Sequence, residues 1–192
     1  MFSIGAAYAV TYDRVIKGQS GTWTMHINNP WMGGSLNQIR YILSQATQPS
    51  MIKIFRALEK LAYSTDAVII SLESGNELPG HLFVDHGASY LPLSAFDNPK
   101  FSSVGAKIME SRLPGTGKCY YERRELVKTA GYPSLKGYFN CQIYGYGNMK
   151  SIYLQIERPN DHLSVMLYVD EKVKLQRMLE FNSMLNSLRF TK

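Results

Sequence analysis

Between Lys118 and Val169 the chain passes through four strand-like runs separated by nothing longer than a turn. The runs are Lys118 to Val127, Lys136 to Gly145, Met149 to Glu157 and Leu163 to Val169. Their connectors carry Thr129-Ala-Gly-Tyr-Pro133, Tyr146-Gly-Asn148 and Arg158-Pro-Asn-Asp161. Gly, Asn and Pro at such positions supply the backbone angles that reverse a chain, and strands joined by short reversals are antiparallel. A four-strand meander is predicted, and the rest of the chain must supply what covers it.

The first half provides strands and helices. Val10 to Ile16 and Thr22 to Asn28 read as two strands across a Lys-Gly-Gln-Ser-Gly connector, with Trp23, Met25 and Ile27 on one face. Asn29-Pro30-Trp31 then stops the second strand, because Pro30 has no N–H for a ladder. Ser35 and Gln38 form a capping-box pattern, followed by Leu36, Ile39, Leu43 and Ala46 at helical spacing. After Pro49, Ser50 caps a second predicted helix with the apolar stripe Ile54, Phe55, Leu58, Leu61 and Ala62. Ala67 to Leu72 reads as a short buried strand. Residues 74–100, punctuated by Gly and Pro, read as an irregular insertion. A helix follows from Ser102 or Ser103 to Arg112, and the chain closes with a helix from Glu171 to Leu188 whose core face holds Met178, Phe181, Met184, Leu185 and Leu188.

At 192 residues the chain has the length of about one domain of roughly 150 residues, and 45% hydrophobic content is enough for one core. Disorder, collagen and coiled coil are excluded. The expected class is α+β: one domain over residues 1–192, a mainly antiparallel sheet ending in the meander, and flanking helices including a long C-terminal one.

The two cysteines, Cys119 and Cys141, stand 22 positions apart on the first two runs of the meander. A register in which paired residue numbers sum to 260 sets them opposite each other, with a short loop around Ala130. Opposed Cβ atoms on neighbouring strands lie about 4.5 to 5.5 Å apart, within reach of a disulfide after local adjustment. A bridge is therefore expected, and with it an exported, periplasmic or envelope location. Met1 to Ala6 is apolar and Ala7-Tyr-Ala9 fits a small-x-small cleavage pattern, so residues 1–9 read either as the stub of a signal peptide or as a first strand. No stretch of ~18 apolar residues is present to form a spanning helix.

The net charge of +6 is uneven: residues 1–99 sum to −1 and residues 100–192 to +7. No run of five basic residues occurs, and Arg123-Arg124 is flanked by Glu122 and Glu125, which argues against nucleic acid. Eight of the 13 tyrosines fall in the meander. Aromatic residues favour strands in any case. As a recognition surface, Tyr and Arg supply large contact area at low entropic loss, and the residues so selected are Tyr121, Arg123, Arg124, Tyr138, Tyr144 and Tyr146.

The order of elements resembles the PsbP/Mog/DcrB-like superfamily. The resemblance is carried by Thr22-Trp-Thr-Met-His-Ile-Asn-Asn-Pro-Trp31 and by the closing helix Phe181-Asn-Ser-Met-Leu-Asn-Ser-Leu-Arg-Phe190. It implies helices around a mainly antiparallel sheet, and a non-catalytic accessory or binding protein of the kind found at bacterial envelopes or in photosynthetic lumens, some relatives acting around secreted effectors.

Catalytic patterns are sparse. Gly115-Thr-Gly-Lys118 lacks the earlier Gly and the following Ser or Thr of a phosphate loop and reads as a helix-to-strand turn. His81, Asp85, His86 and Ser89 gather in the irregular segment, but without a nucleophile elbow, so they serve either a small hydrolase or local backbone groups. Glu122 and Glu125, an odd number apart, are expected on opposite faces of their strand. His26 and His162 read as a strand and a turn position, and too few cysteines remain for a structural zinc. The expected function is thus a non-enzyme that binds another protein, as an accessory or immunity-type partner of a secreted effector. The alternatives are the hydrolase, and a binder of lipid or another apolar ligand, for which the nine methionines are the only pointer. No cofactor and no metal are expected.

Overall fold

The computed structural model describes residues 14–28, 30–45, 47, 52, 65–71, 80–87, 93, 101–113, 115–144 and 147–191. The expected leader or first strand over 1–9 and the helix after Ser50 lie outside them. Ten strands and three helices follow in the described residues: β1 (Arg14–Lys17), β2 (Trp23–Ile27), β3 (Trp31–Gly34), α1 (Leu36–Ser44), β4 (Thr65–Ser71), β5 (His81–Gly87), α2 (Phe101–Ser111), β6 (Gly117–Thr129), β7 (Tyr132–Ile143), β8 (Gly147–Glu157), β9 (His162–Asp170), α3 (Lys174–Ser187) and β10 (Arg189–Phe190). A 3₁₀ turn, Glu171–Val173, leads into α3.

The meander forms the backbone of the fold. Seven antiparallel strands lie in the order β3-β4-β5-β9-β8-β7-β6, and β1, β2 and β10 make a small second sheet. One apolar layer lies between the large sheet and α1 and α2, built from Ile39, Leu43, Phe83, Met109, Phe139 and Tyr168. A second lies between that sheet and α3 with the small sheet, built from Trp23, Ile27, Leu154, Val165, Leu167 and Phe181. Burying a side chain of this size contributes about 1.5–3 kcal/mol, so the sheet is stabilised from both faces. Met25, Met109, Met149, Met166 and Met184 all pack in these layers. The class is α+β in one domain, as the element order predicts.

Local chemistry explains the element ends. Ser35 accepts from the Gln38 backbone N–H while the Gln38 side chain accepts from the Ser35 N–H, the capping box read from sequence. At the β6–β7 turn Ala130 and Gly131 both have positive φ (50° and 87°), the two-residue reversal whose twist matches an antiparallel hairpin. Gly18 has a packing role. A Cβ there would sit 2.2 Å from Asp66 Oδ2 and 2.3 Å from Trp23 Nε1, where the indole donates to the carboxylate at 2.5 Å.

Three expectations are corrected. Segment 74–100 is not irregular throughout: His81–Gly87 is β5, an interior strand of the large sheet between β4 and β9. It is covered on both faces over Leu82, Phe83 and Val84, so it lacks the alternation that marks a half-exposed strand. Pro30 does end β2, yet Trp31 opens β3, which pairs with β4. There the Trp31 indole donates to Glu180 on α3 (2.7 Å), and Glu180 also pairs with the buried Arg177. Finally, the register sum of 260 holds only to Tyr121↔Phe139. A bulge between Tyr121 and Arg123 moves it to 261, Arg123↔Tyr138.

Candidate interaction site

The bulge determines which side chains meet. Residues paired across strands share a face, so Arg123, Tyr138 and Asn140 lie on the α3 side of the sheet while Tyr121, Arg124 and Phe139 lie on the α2 side. Because Glu122 is the extra residue, it turns to Asn140 and Lys150 instead of away from Glu125. The two carboxylates therefore stand on the same face, against the alternation expected for an unbroken strand.

The result is a continuous polar stripe beyond the reach of α3. The Arg123 guanidinium lies 3.8 Å from the Tyr138 ring centroid, its Nη1 donates to Glu125 at 3.2 Å, and the Tyr138 hydroxyl donates to the same carboxylate. Lys136 Nζ lies 5.4 Å from that ring. Further along, Lys150 donates to Glu122 at 2.7 Å. The Tyr138 hydrogen bond holds the Glu125 carboxyl below its ordinary range, and the Lys150 hydrogen bond does the same for Glu122. Burial, then the Glu125 carboxylate, pushes the Tyr138 hydroxyl up to about 12. Burial, with the Arg123 charge, pushes the Lys136 ammonium down despite Glu125. Arg123, Tyr138 and Glu125 thus hold one another in place.

Beside the stripe, between the β6–β7 hairpin and α3, is a groove of about 400 Å³. Val127, Leu154 and Leu185 give it an apolar floor, and Asn182 and Asn186 line it from α3. Its charged lining residues are Lys128 and Lys136, with no carboxylate among the described residues. The hairpin that forms one wall is cross-linked by the Cys119–Cys141 disulfide, set by the Cys119↔Cys141 register. The Cys119 N–H donates to Glu110 of α2 at 2.9 Å, which covers that part of the β6 edge.

The sequence-selected recognition residues are therefore divided. Arg123 and Tyr138 belong to the stripe. Tyr121 packs against Phe139 on the opposite face, with ring centroids 5.7 Å apart, and Arg124 shares that face. Tyr144 is exposed past the end of β7. Tyr146 lies outside the described residues. Glu125 was missed because only a bulge with no Gly or Pro to mark it carries it to the face of Lys136 and Tyr138; Lys128 and Lys136 were missed because they belong to a groove that no local pattern marks.

The loop cluster is also redistributed. His81 is buried and stacked on Tyr168 at 5.0 Å, four strand positions or roughly 13 Å from Asp85. His86 bonds Asp161 at 3.0 Å, and Asp85 bonds Arg112 at 2.8 Å, so neither histidine forms a relay with Asp85. Ser89 lies outside the described residues. Among the described residues no three His, Cys, Asp or Glu gather as a metal site would require, and no described helix is long and apolar enough to cross a membrane.

No protein-family model and no curated protein matches the chain. Solved structures do. Cyanobacterial PsbP (CyanoP) from Synechocystis sp. PCC 6803 superposes with a TM-score of 0.62 at 11% identity, over 100% of this chain and 99% of that one. LpqN of Mycobacterium tuberculosis, described as involved in cell envelope biogenesis, superposes with a TM-score of 0.51 at 10% identity, over 100% of this chain and 98% of that one. At such identities the likeness is one of fold. The chain has the PsbP-like fold.

Proposed function

We propose that this protein works outside the reducing cytoplasm as a non-catalytic binding domain, an accessory or immunity-type partner that holds an acidic segment of a secreted effector. The observation that carries the reading is the groove, whose lining pairs an apolar floor with the lysines Lys128 and Lys136 and is bordered by the preordered Arg123–Tyr138–Glu125 cluster. A carboxylate entering it meets Lys136, half-buried and held below its ordinary basicity, and restores the charge balance that burial disturbs. Fixed side chains lose little entropy on binding. The disulfide fits an oxidising compartment, and LpqN, of the same fold, is described through the cell envelope.

The test uses the full chain as bait in the exported fraction of its host, with chemical cross-linking, beside a Lys128→Glu/Lys136→Glu double variant. A saturable protein partner held by the parent and lost by the variant supports the reading. Capture of the same partner by both, or of none by either, overturns it.

A further inference from the structure

On the other face of the sheet, away from the groove, a polar row interrupts the apolar layer under α2. Pairing sets Asp85 of β5 opposite Ser164 of β9, and Ser164 opposite Gln155 of β8. Tyr153, two positions along β8, gives its hydroxyl to Gln155 at 3.0 Å and lies 3.3 Å from Ser164 Oγ. One step further out, Gly87 pairs with His162, and the missing Cβ lets the imidazole lie against the strand, since a Cβ at 87 would come within 2.7 Å of the ring. Asp85, His86, Gly87, Tyr153, His162 and Ser164 line a cavity of about 240 Å³, with Ile108 and Met166 on its apolar side.

Two polar atoms among the cavity-lining residues, Asp85 Oδ1 and His162 Nδ1, are buried without a hydrogen-bond partner. Unsatisfied buried groups are rare in folded proteins because each forfeits the hydration it had in water. Here two stand on diagonal positions of neighbouring strands beside an open space. Charge then selects what fills it. Asp85 is already balanced by Arg112, which also reaches Thr65 at 3.5 Å. Burial and the nearby His86 keep the His162 imidazole below its ordinary basicity, hence neutral near pH 7. An incoming cation would meet Arg112, and an anion would meet Asp85. A neutral molecule carrying hydroxyl groups meets neither conflict, gives a proton to each open acceptor, and lays its carbon skeleton on Ile108 and Met166.

We infer that this cavity is a binding site for a neutral polyhydroxylated molecule of up to monosaccharide size, independent of the groove and lined by Asp85, Gly87, Tyr153, His162 and Ser164. A ligand of about twelve non-hydrogen atoms at ordinary efficiency binds with a Kd of about 2 mM.

The experiment titrates the labelled full-length protein with glycerol, D-glucose and N-acetyl-D-glucosamine while the His162 ring and Tyr153 resonances are followed by NMR. Saturable shifts confined to this cavity with at least one of the three are expected. Ile108→Trp fills the cavity from α2 without touching the polar row and is expected to weaken binding at least tenfold; Tyr153→Phe, which removes one oxygen, is the second variant should the first fail to fold. Absence of saturable shifts with all three probes overturns the site, as does unchanged affinity in a folded Ile108→Trp protein.

Discussion

Reduction of the Cys119–Cys141 bridge is expected to lower stability by an amount set by the loop it closes. The two residues are 22 apart in sequence. Cross-linking a loop of that length removes denatured-chain entropy equivalent to about 3.4 kcal/mol at 25 °C. For a domain of this size each kcal/mol moves the thermal midpoint by about 2–4 °C, so the reduced protein should melt about 7–14 °C lower. The native hairpin should barely change, because its twelve cross-strand pairs, the Ala130–Gly131 turn and the Glu110 contact to the Cys119 N–H do not require the bond. The measurement is thermal and urea unfolding of the oxidised protein, the reduced protein and a Cys119→Ala/Cys141→Ala variant, with alkylation in the absence of reductant to count free thiols. Reduced and alanine forms should fall together. A shift below about 2 °C in both would refute the reasoning, because the unfolded chain would then gain almost no freedom from opening the loop. Rapid alkylation of the untreated protein would remove the argument for an oxidising compartment altogether.

Gly18→Ala drives a methyl between the Trp23 indole and the Asp66 carboxylate, and a loss of about 3 kcal/mol in urea unfolding is expected from overpacking and the broken charged hydrogen bond. Ala130→Gly relieves a side chain held at φ 50° and should raise stability by about 0.5–1 kcal/mol; a loss in the same assay would contradict the turn geometry. Burial pushes the Asp85 carboxyl above its ordinary 3.8, against the Arg112 guanidinium and the Thr65 hydroxyl, which hold it down. The folded chain then retains this proton where the unfolded chain has released it, so the Asp85 contribution to stability falls as pH rises from about 4 to the folded-state value and is level above it. Asp85→Asn lacks that term. The urea-midpoint difference, parent minus variant, should therefore decrease as pH rises from about 4 and then level off above the folded-state value, and a difference flat throughout would show that the carboxyl is not raised.

What could be read from the sequence was whatever short-range chemistry determines. Ser35 and Gln38 announce α1 because both halves of the capping box lie within one turn. Cys119 and Cys141 could be paired because a tight turn fixes hairpin register locally. By contrast, β5 follows Gly80, ends on Gly87 and is buried on both faces over its apolar centre, so no period-two pattern betrays it. The polar cavity was invisible for another reason. Tyr153, His162 and Ser164 are brought beside Asp85 by the register of β5 on β9 and β9 on β8, the first of those pairings joining segments more than 70 residues apart, and Arg112 reaches it from the end of α2. His162 read as a turn residue because only Gly87, on a strand not foreseen, gives its ring somewhere to lie. The groove needed α3 packed beside the hairpin, a contact that no local pattern specifies.

The bulge at Glu122 also makes β6 one residue longer than its partner demands, and so gives the hairpin a tolerance to length change. Deleting Glu122 would close the ladder with every remaining side chain on its present face, subtracting one carboxylate and nothing else. Deleting Arg124 would close it equally well but slide Glu122 opposite Tyr138 and Arg123 opposite Gly137, carrying that guanidinium through to the α2 side. Two deletions of equal size, two positions apart, would thus conserve the fold alike while one preserves the Arg123–Tyr138–Glu125 stripe and the other dismantles it. In a lineage of such chains, the side chains presented on this face can change by the loss of a single codon without any loss of the scaffold.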